Sequence, residues 1–269
     1  MKYIKLFENF EGDDKQKELA DELAAYFGVN LDTFAETQKI MGMSPEGIQK
    51  WFNAEMDKEE PNIPVIEELA RLGYEFDLLN KDLHYAALHD KVGLAKLLLD
   101  RGAKIEARDE SQWTPLHYAA WNNSRAVAEL LLDRGAKIEA RDVEQRTPLH
   151  KAAVNDSIRV VTLLLDRGAD MEARDKYQQT PLHDAARFDS IQVATLLLDR
   201  GADVNARDVN KDTPLHMAAI EDSIQVATLL LDRGADKQAR NDEKDTPWDL
   251  ASGEMKEALP QLNPNYSDS

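Results

Sequence analysis

The chain has 269 residues, no cysteine, and 51 acidic against 33 basic residues, a formal net charge of −18. Such a charge repels phosphate backbones and argues against sequence-independent nucleic-acid binding. Without cysteine there is no disulfide, thiolate nucleophile or Cys-based metal site. Hydrophobic residues make up 42% of the chain, enough for a core. No apolar run approaches the ~20 residues that span a bilayer. The start, MKYIKLFENFEGDD, lacks the apolar stretch and cleavage site of a secretory signal, so no membrane association and a cytoplasmic location are expected. The charge is uneven: residues 1–80 carry net −10, residues 81–240 only −3, and residues 241–269 carry −5.

In chain order, Tyr3-Ile4-Lys5-Leu6-Phe7-Glu8-Asn9-Phe10 is a short apolar segment before an acidic run. It is expected to dock as a strand or helix, and it has a ten-residue likeness to head-targeting segments of tailed-phage internal proteins. Asp13–Phe27 reads as an amphipathic helix with Leu19, Leu23, Tyr26 and Phe27 on one face. Leu31–Met43 reads as a second, and Ser44-Pro45 opens a third carrying Ile48, Trp51, Phe52 and Met56. Asp57-Lys58-Glu59-Glu60-Pro61 is the expected joint.

The remainder is self-similar. LLLDRGA begins at Leu97, Leu130, Leu163, Leu196 and Leu229, each step 33 residues. TPLH begins at Thr114, Thr147, Thr180 and Thr213 with the same step, and TPWD follows at Thr246. A period of this size means stacked supersecondary units that cannot bury their faces alone. Within Asp142–Arg174, Thr147 caps and Pro148 opens a helix whose stripe is Leu149, Ala152 and Ala153. Asn155-Asp156 breaks it and Ser157 is positioned to cap a second helix, with Ile158, Val161, Leu164 and Leu165 as its stripe. Gly168 ends that helix, where a left-handed residue is needed. Ala169–Gln179 has no helical pattern and is expected to project as a turn.

These motifs, DxxxxTPLHxAA followed by LLLDRGA, resemble the ankyrin repeat over about Lys81–Leu262. The resemblance implies an all-α solenoid of stacked helix–turn–helix units with projecting β-turn fingers. It also implies that Thr and His of each TPLH hydrogen-bond within and between repeats. Two departures stand out. The family's glycine two places before the Thr is Gln112, Gln145, Gln178, Lys211 and Lys244, so the finger turn is expected to be strained or differently shaped. The glycine between the helices is Asp90, Asn123, Asp156, Asp189 and Asp222, a milder change because Asp and Asn tolerate left-handed geometry. The expected organisation is a helical region over 1–60, repeats over 61–262 with degenerate caps at 61–80 and 246–262, and a flexible tail over 263–269.

Five of six histidines (His84, His117, His150, His183, His216) occupy one repeat position. In the family's stacking they lie about 10 Å apart, too far for shared ligation at ~2 Å per bond. No phosphate-binding glycine loop, GxSxG or HExxH is present. The sequence therefore implies no catalytic residues, no metal and no cofactor. Positions that vary between repeats cluster in the finger and the first helix, which line the concave face in the family. The candidate protein-binding residues there are Trp113, Tyr118, Trp121, Arg146, Lys151, Tyr177, Arg187, Phe188, Met217 and Ile220. Aromatic and Arg side chains dominate interface hot spots. The expected function is a non-enzymatic, monomeric scaffold that binds a partner protein through this face. Two alternatives are an acidic inhibitor or decoy acting through residues 1–60 and a phage-particle-associated protein directed by residues 1–10.

Overall fold

A computed structural model of the chain describes residues 36, 39–40, 42–56, 62, 65–66 and 83–266. The segments 3–10 and 13–27 lie outside the described residues. The chain divides into two units, Met1–Lys81 and Asp82–Ser269.

In the first unit, α1 spans Pro45–Met56, where Ser44-Pro45 opens it. The Gly47 N–H donates to Ser44 Oγ at 3.1 Å, so the serine caps the free helix end. Ile48 is buried and Trp51 half-buried on this helix. Of the expected second helix, Glu36, Lys39 and Ile40 are helical and Ile40 is buried, whereas Gly42 and Met43 form a turn, so the helix does not run to Met43 as expected. Val65 and Ile66, expected in a degenerate repeat helix, are helical and fully buried.

The second unit begins with α2 (Leu83–Leu88) and α3 (Val92–Asp100). Copies at a 33-residue step follow: α4 (Pro115–Trp121) with α5 (Arg125–Asp133), α6 (Pro148–Val154) with α7 (Ile158–Asp166), and α8 (Pro181–Arg187) with α9 (Ile191–Asp199). Then come α10 (Pro214–Ile220), α11 (Ile224–Asp232), α12 (Pro247–Leu250) and α13 (Gly253–Ala258). First helices pack side by side in one row, α2 through α12, and second helices in another, α3 through α11.

The core sits between the rows. Leu149, Ala152 and Ala153 are buried as their spacing requires, and the alanines let first helices approach closely. On α7 the buried residues are Val160, Val161, Leu163 and Leu164, while Ile158 and Leu165 are half-buried. The stripe is shifted because a stacked helix must bury faces toward its own first helix and toward both neighbours.

Both expected conformational departures appear in the backbone. Gln112, Gln145, Gln178, Lys211 and Lys244 hold φ between 62° and 73°. Asp90, Asn123, Asp156, Asp189 and Asp222 hold φ between 49° and 55°. The second set has an extra role. Asp156 Oδ1 accepts from Val193 N–H of the next repeat at 2.9 Å, and Asp90 and Asp189 do the same for Val127 and Val226. Asn123 Oδ1 serves Arg159 and Val160. The second helices α5, α7, α9 and α11 are therefore each capped by the repeat before them. This corrects the expectation that Ser157 caps α7: its side chain caps nothing, and its hydroxyl donates to the Trp121 carbonyl of the preceding repeat at 3.1 Å.

Among the described residues no helix is long and apolar enough to cross a membrane. Among them, no group of three or more His, Asp or Glu is placed to hold a metal ion.

Candidate functional site

The fingers are organised by the residue at their base, an Asp in all but the last, where Asn241 Oδ1 accepts from the Asp245 amide at 3.0 Å. Asp142 Oδ1 accepts from the Glu144 and Arg146 amides, at 2.8 and 2.9 Å, and closes the turn. Asp175 does this for Tyr177 and Gln179, and Asp208 for Asn210 and Asp212. Neighbouring fingers are joined by single backbone bonds: Val143 N–H to Ser111 O, Lys176 to Glu144, Val209 to Tyr177 and Asp242 to Asn210. The left-handed residues are tied down as well. Arg141 Nη1 donates to the Gln145 carbonyl of its own finger at 2.7 Å, and Arg174 does the same to Gln178.

The TPLH histidines join finger to helix. His150 Nδ1 accepts from Thr147 N–H at 3.2 Å, with the Thr147 hydroxyl at 2.9 Å. Its Nε2 faces the Gln179 carbonyl of the next finger at 3.1 Å, so Nε2 carries the proton. His117, His183 and His216 repeat this against Arg146, Asp212 and Asp245. Burial pushes His117, His150 and His183 down to about 4 each, against a weaker upward pull from the carbonyl. These rings are neutral structural struts. In the terminal repeat Asp249 stands in for His, its Oδ2 accepting from Thr246 N–H and Oγ1 at 2.8 and 2.7 Å.

One residue per first helix lies behind the finger: Tyr118, Lys151, Asp184 and Met217, at 33-residue intervals. The finger acid's second oxygen decides what it meets there. Tyr118 Oη donates to Asp109 Oδ2 at 2.8 Å. Lys151 Nζ donates to Asp142 Oδ2 at 2.7 Å. Burial alone would raise Asp142, but Lys151 and the turn amides outweigh it and hold its carboxyl below the usual range. Asp208 has Met217 behind it, and Gln179 Nε2 of the previous finger supplies its donor at 2.9 Å. Asp175 has another carboxylate, Asp184, behind it. The Arg146 guanidinium is shared between them, 3.4 Å from Asp175 and 3.6 Å from Asp184.

The candidate binding residues fall into three environments. Trp113, Tyr118 and Trp121 form one half-buried aromatic cluster, with Trp113 5.1 Å from Tyr118 and 5.6 Å from Trp121 between centroids. Lys151 Nζ sits 4.3 Å over the Trp113 ring. Lys151 and Met217 are themselves buried, and Arg146 and Arg187 are half-buried. Tyr177, Phe188 and Ile220 are exposed at 41%, 51% and 47%. Asp184 is one of the positions that vary between repeats on this face, but its complete burial was not legible in the sequence. Sequence reasoning missed the ion-pair ladder of the second helices, Arg134–Asp100, Arg167–Asp133, Arg200–Asp166 and Arg233–Asp199, each at 2.8–2.9 Å. The Asp-Arg pair of every LLLDRGA carried that signal.

No match is found among curated proteins. The family model described as ankyrin repeats (3 copies) matches residues 57–142, 139–208 and 179–241. With that match spanning most of the chain, and with Thr-Pro-opened helix pairs, finger turns and a histidine ladder repeating every 33 residues, the chain belongs to the ankyrin-repeat family.

Proposed function

We propose that the fingers and first helices of Asp109–Glu221 are the docking face for a partner protein, and that the chain acts as a non-enzymatic, monomeric scaffold. Ankyrin repeats mediate protein–protein interaction, and this face corresponds to the one that is concave in the family. The observation that carries the reading is the exposure of Tyr177 in the third finger, Phe188 just past the end of α8 and Ile220 at the end of α10. Large apolar side chains clustered in the open mark interaction sites on soluble proteins, and Tyr is enriched among hot spots. Val143 and Val209 add exposed apolar surface at the flanking finger tips. The repeat units hold the same backbone throughout while these positions change from repeat to repeat, so the scaffold is constant and the face is particular.

The triple variant Tyr177→Ala, Phe188→Ser, Ile220→Ser tests this. All three side chains are exposed, so the melting curve and circular dichroism should match the parent. Affinity purification with mass spectrometry should then show the parent's specific partner lost from the variant. An unchanged set of partners on a folded variant overturns the reading.

A further inference from the structure

The residue nine places after the finger acid is a donor in two successive repeats. Tyr118 Oη donates to Asp109 Oδ2 at 2.8 Å, and Lys151 Nζ to Asp142 Oδ2 at 2.7 Å. In the fourth repeat it is Met217, and Gln179 Nε2 serves Asp208 instead at 2.9 Å. Among these four repeats the third alone has a carboxyl there, Asp184 with Asp175. Asp184 is completely buried, and neither of its oxygens accepts a hydrogen bond from any described residue. The Arg146 guanidinium lies 3.4 Å from Asp175 and 3.6 Å from both Asp184 and Glu144, so one cation spans three carboxylates and sits close on none. The other charged groups packed around Asp184 are engaged elsewhere. From α6, Lys151 is bound to Asp142, and His150 spans Thr147 and the Gln179 carbonyl. On α8 itself, His183 spans Thr180 and the Asp212 carbonyl, and Arg187 Nη2 lies on Met217 Sδ at 3.1 Å. From α10, His216 spans Thr213 and the Asp245 carbonyl. From the next finger, Asp208 accepts from Gln179 and Asp212 from Asn241. The titratable groups of α9 and α11, Asp199 and Asp232, are exposed at the helix ends.

We propose that the Asp175–Asp184 pair is a proton-operated latch on the third finger: with a proton Asp184 donates to Asp175 and holds the finger closed over α8, and without it the finger loosens. The protonated carboxyl takes the part played by the Tyr118 hydroxyl and the Lys151 ammonium in the two preceding repeats, and Arg146 is then left to Asp175 and Glu144. An ionised carboxylate that is buried without a hydrogen bond is costly, and two carboxylates in one site do not ionise together readily. Opening the finger to water relieves both costs. Burial, opposed by Arg146 and reinforced by Asp175, raises Asp184 to about 7. A group raised in the closed state holds its proton more tightly closed than open, so closure is favoured below that value and weakens as pH rises through it. His117, His150 and His183 lie near 4 and stay neutral across this range. The finger carries the exposed Tyr177, whose amide donates to Asp175 Oδ1 at 2.8 Å. The latch stands whether or not a partner docks there.

Amide hydrogen exchange of Tyr177, Gln178 and Gln179, which all donate to Asp175, reads the opening of this finger. It is followed by NMR on the full chain from about pH 6 to pH 8 and corrected for the intrinsic rate. Gln112 and Trp113 of the first finger, and Asn210, Lys211 and Asp212 of the fourth, make the same bonds to Asp109 and Asp208 and are the controls. In the parent, opening of the third finger should rise about tenfold from pH 6 to pH 8, as for a carboxyl near 7 when closed and near 4 when open, while the control fingers stay flat. Asp184→Asn supplies a permanent donor and should be flat with pH, as closed at pH 8 as the parent is at pH 6. Asp175→Asn removes the like charge and should also be flat. Asn241 already closes the last finger, so this second variant has a precedent in the molecule and carries the test if Asp184→Asn does not fold. A flat third finger in the parent, an equal rise in all three fingers, or a folded variant that keeps the parent's pH dependence overturns the latch.

Discussion

Gln145 shows what a single residue can cost in a repeated fold. Its φ of 62° is the conformation glycine takes without strain, and a side chain there costs roughly 1 kcal/mol or more. The fold tolerates it because Asp142 closes the turn around it and Arg141 ties down its carbonyl. Gln145→Gly should raise stability by about 0.5–1 kcal/mol, the relief of strain less the added freedom of the unfolded chain. Urea denaturation checks this, with Gln145→Val as the opposite control because a β-branched residue is worse there. The strain was legible in the sequence, since a Gln or Lys stood where the family has Gly. That Asp142 and Arg141 hold the turn was not legible, because their partners are backbone atoms.

At the scale of the helix, Asp156 shows how repeats are joined. It terminates α6 in a left-handed conformation and caps α7's successor, α9, through Val193 N–H. Asp156→Ala removes a cap worth ~1 kcal/mol and places alanine at positive φ for about another 1 kcal/mol. A loss of about 2 kcal/mol in chemical denaturation is therefore expected. Asp156→Asn should be nearly neutral, because Asn123 already performs the role one repeat earlier. Serine before each second helix has the type of a cap, and sequence spacing alone assigned it that task. The stacking instead brings a carbonyl of the previous repeat within reach of the hydroxyl, and the previous repeat's Asp reaches the free amides first.

Across the whole molecule, the buried histidines and Asp184 set opposite pH dependences. His117, His150 and His183 titrate near 4 when folded against an ordinary value of 6.5. The folded state thus binds fewer protons, and the stability they confer is present above 6.5 and lost as pH falls toward 4. At pH 5 each contributes a loss of about 2 kcal/mol. Asp184 is raised to about 7, so its cost is full above pH 7 and is relieved as pH falls toward 4. That relief is about 3 kcal/mol at pH 5, which offsets roughly half of the histidine loss. Urea midpoints should therefore fall between pH 7 and pH 5, and fall more steeply in Asp184→Asn, where the offset is gone. Equal slopes in the two proteins would mean that Asp184 is ionised throughout. The exposed Arg–Asp ladder adds little to this balance, because surface ion pairs are worth ~0–1 kcal/mol each.

The 33-residue period by itself determined the helix pairs, their order, the finger positions and the histidine ladder, because each is written locally and repeated. The same period marked the variable positions as a candidate face. Only the tertiary structure decided which of those positions stay open. Trp113, Tyr118 and Trp121 pack on one another, Lys151 and Met217 turn inward, and Tyr177, Phe188 and Ile220 remain exposed. It also decided that Asp175 and Asp184, nine residues apart and unremarked as a pair, meet over one guanidinium. Residue type and spacing fix which side of a helix a residue occupies. Whether that side is covered depends on the finger folded over it and on the length and charge of the side chains contributed by the next repeat.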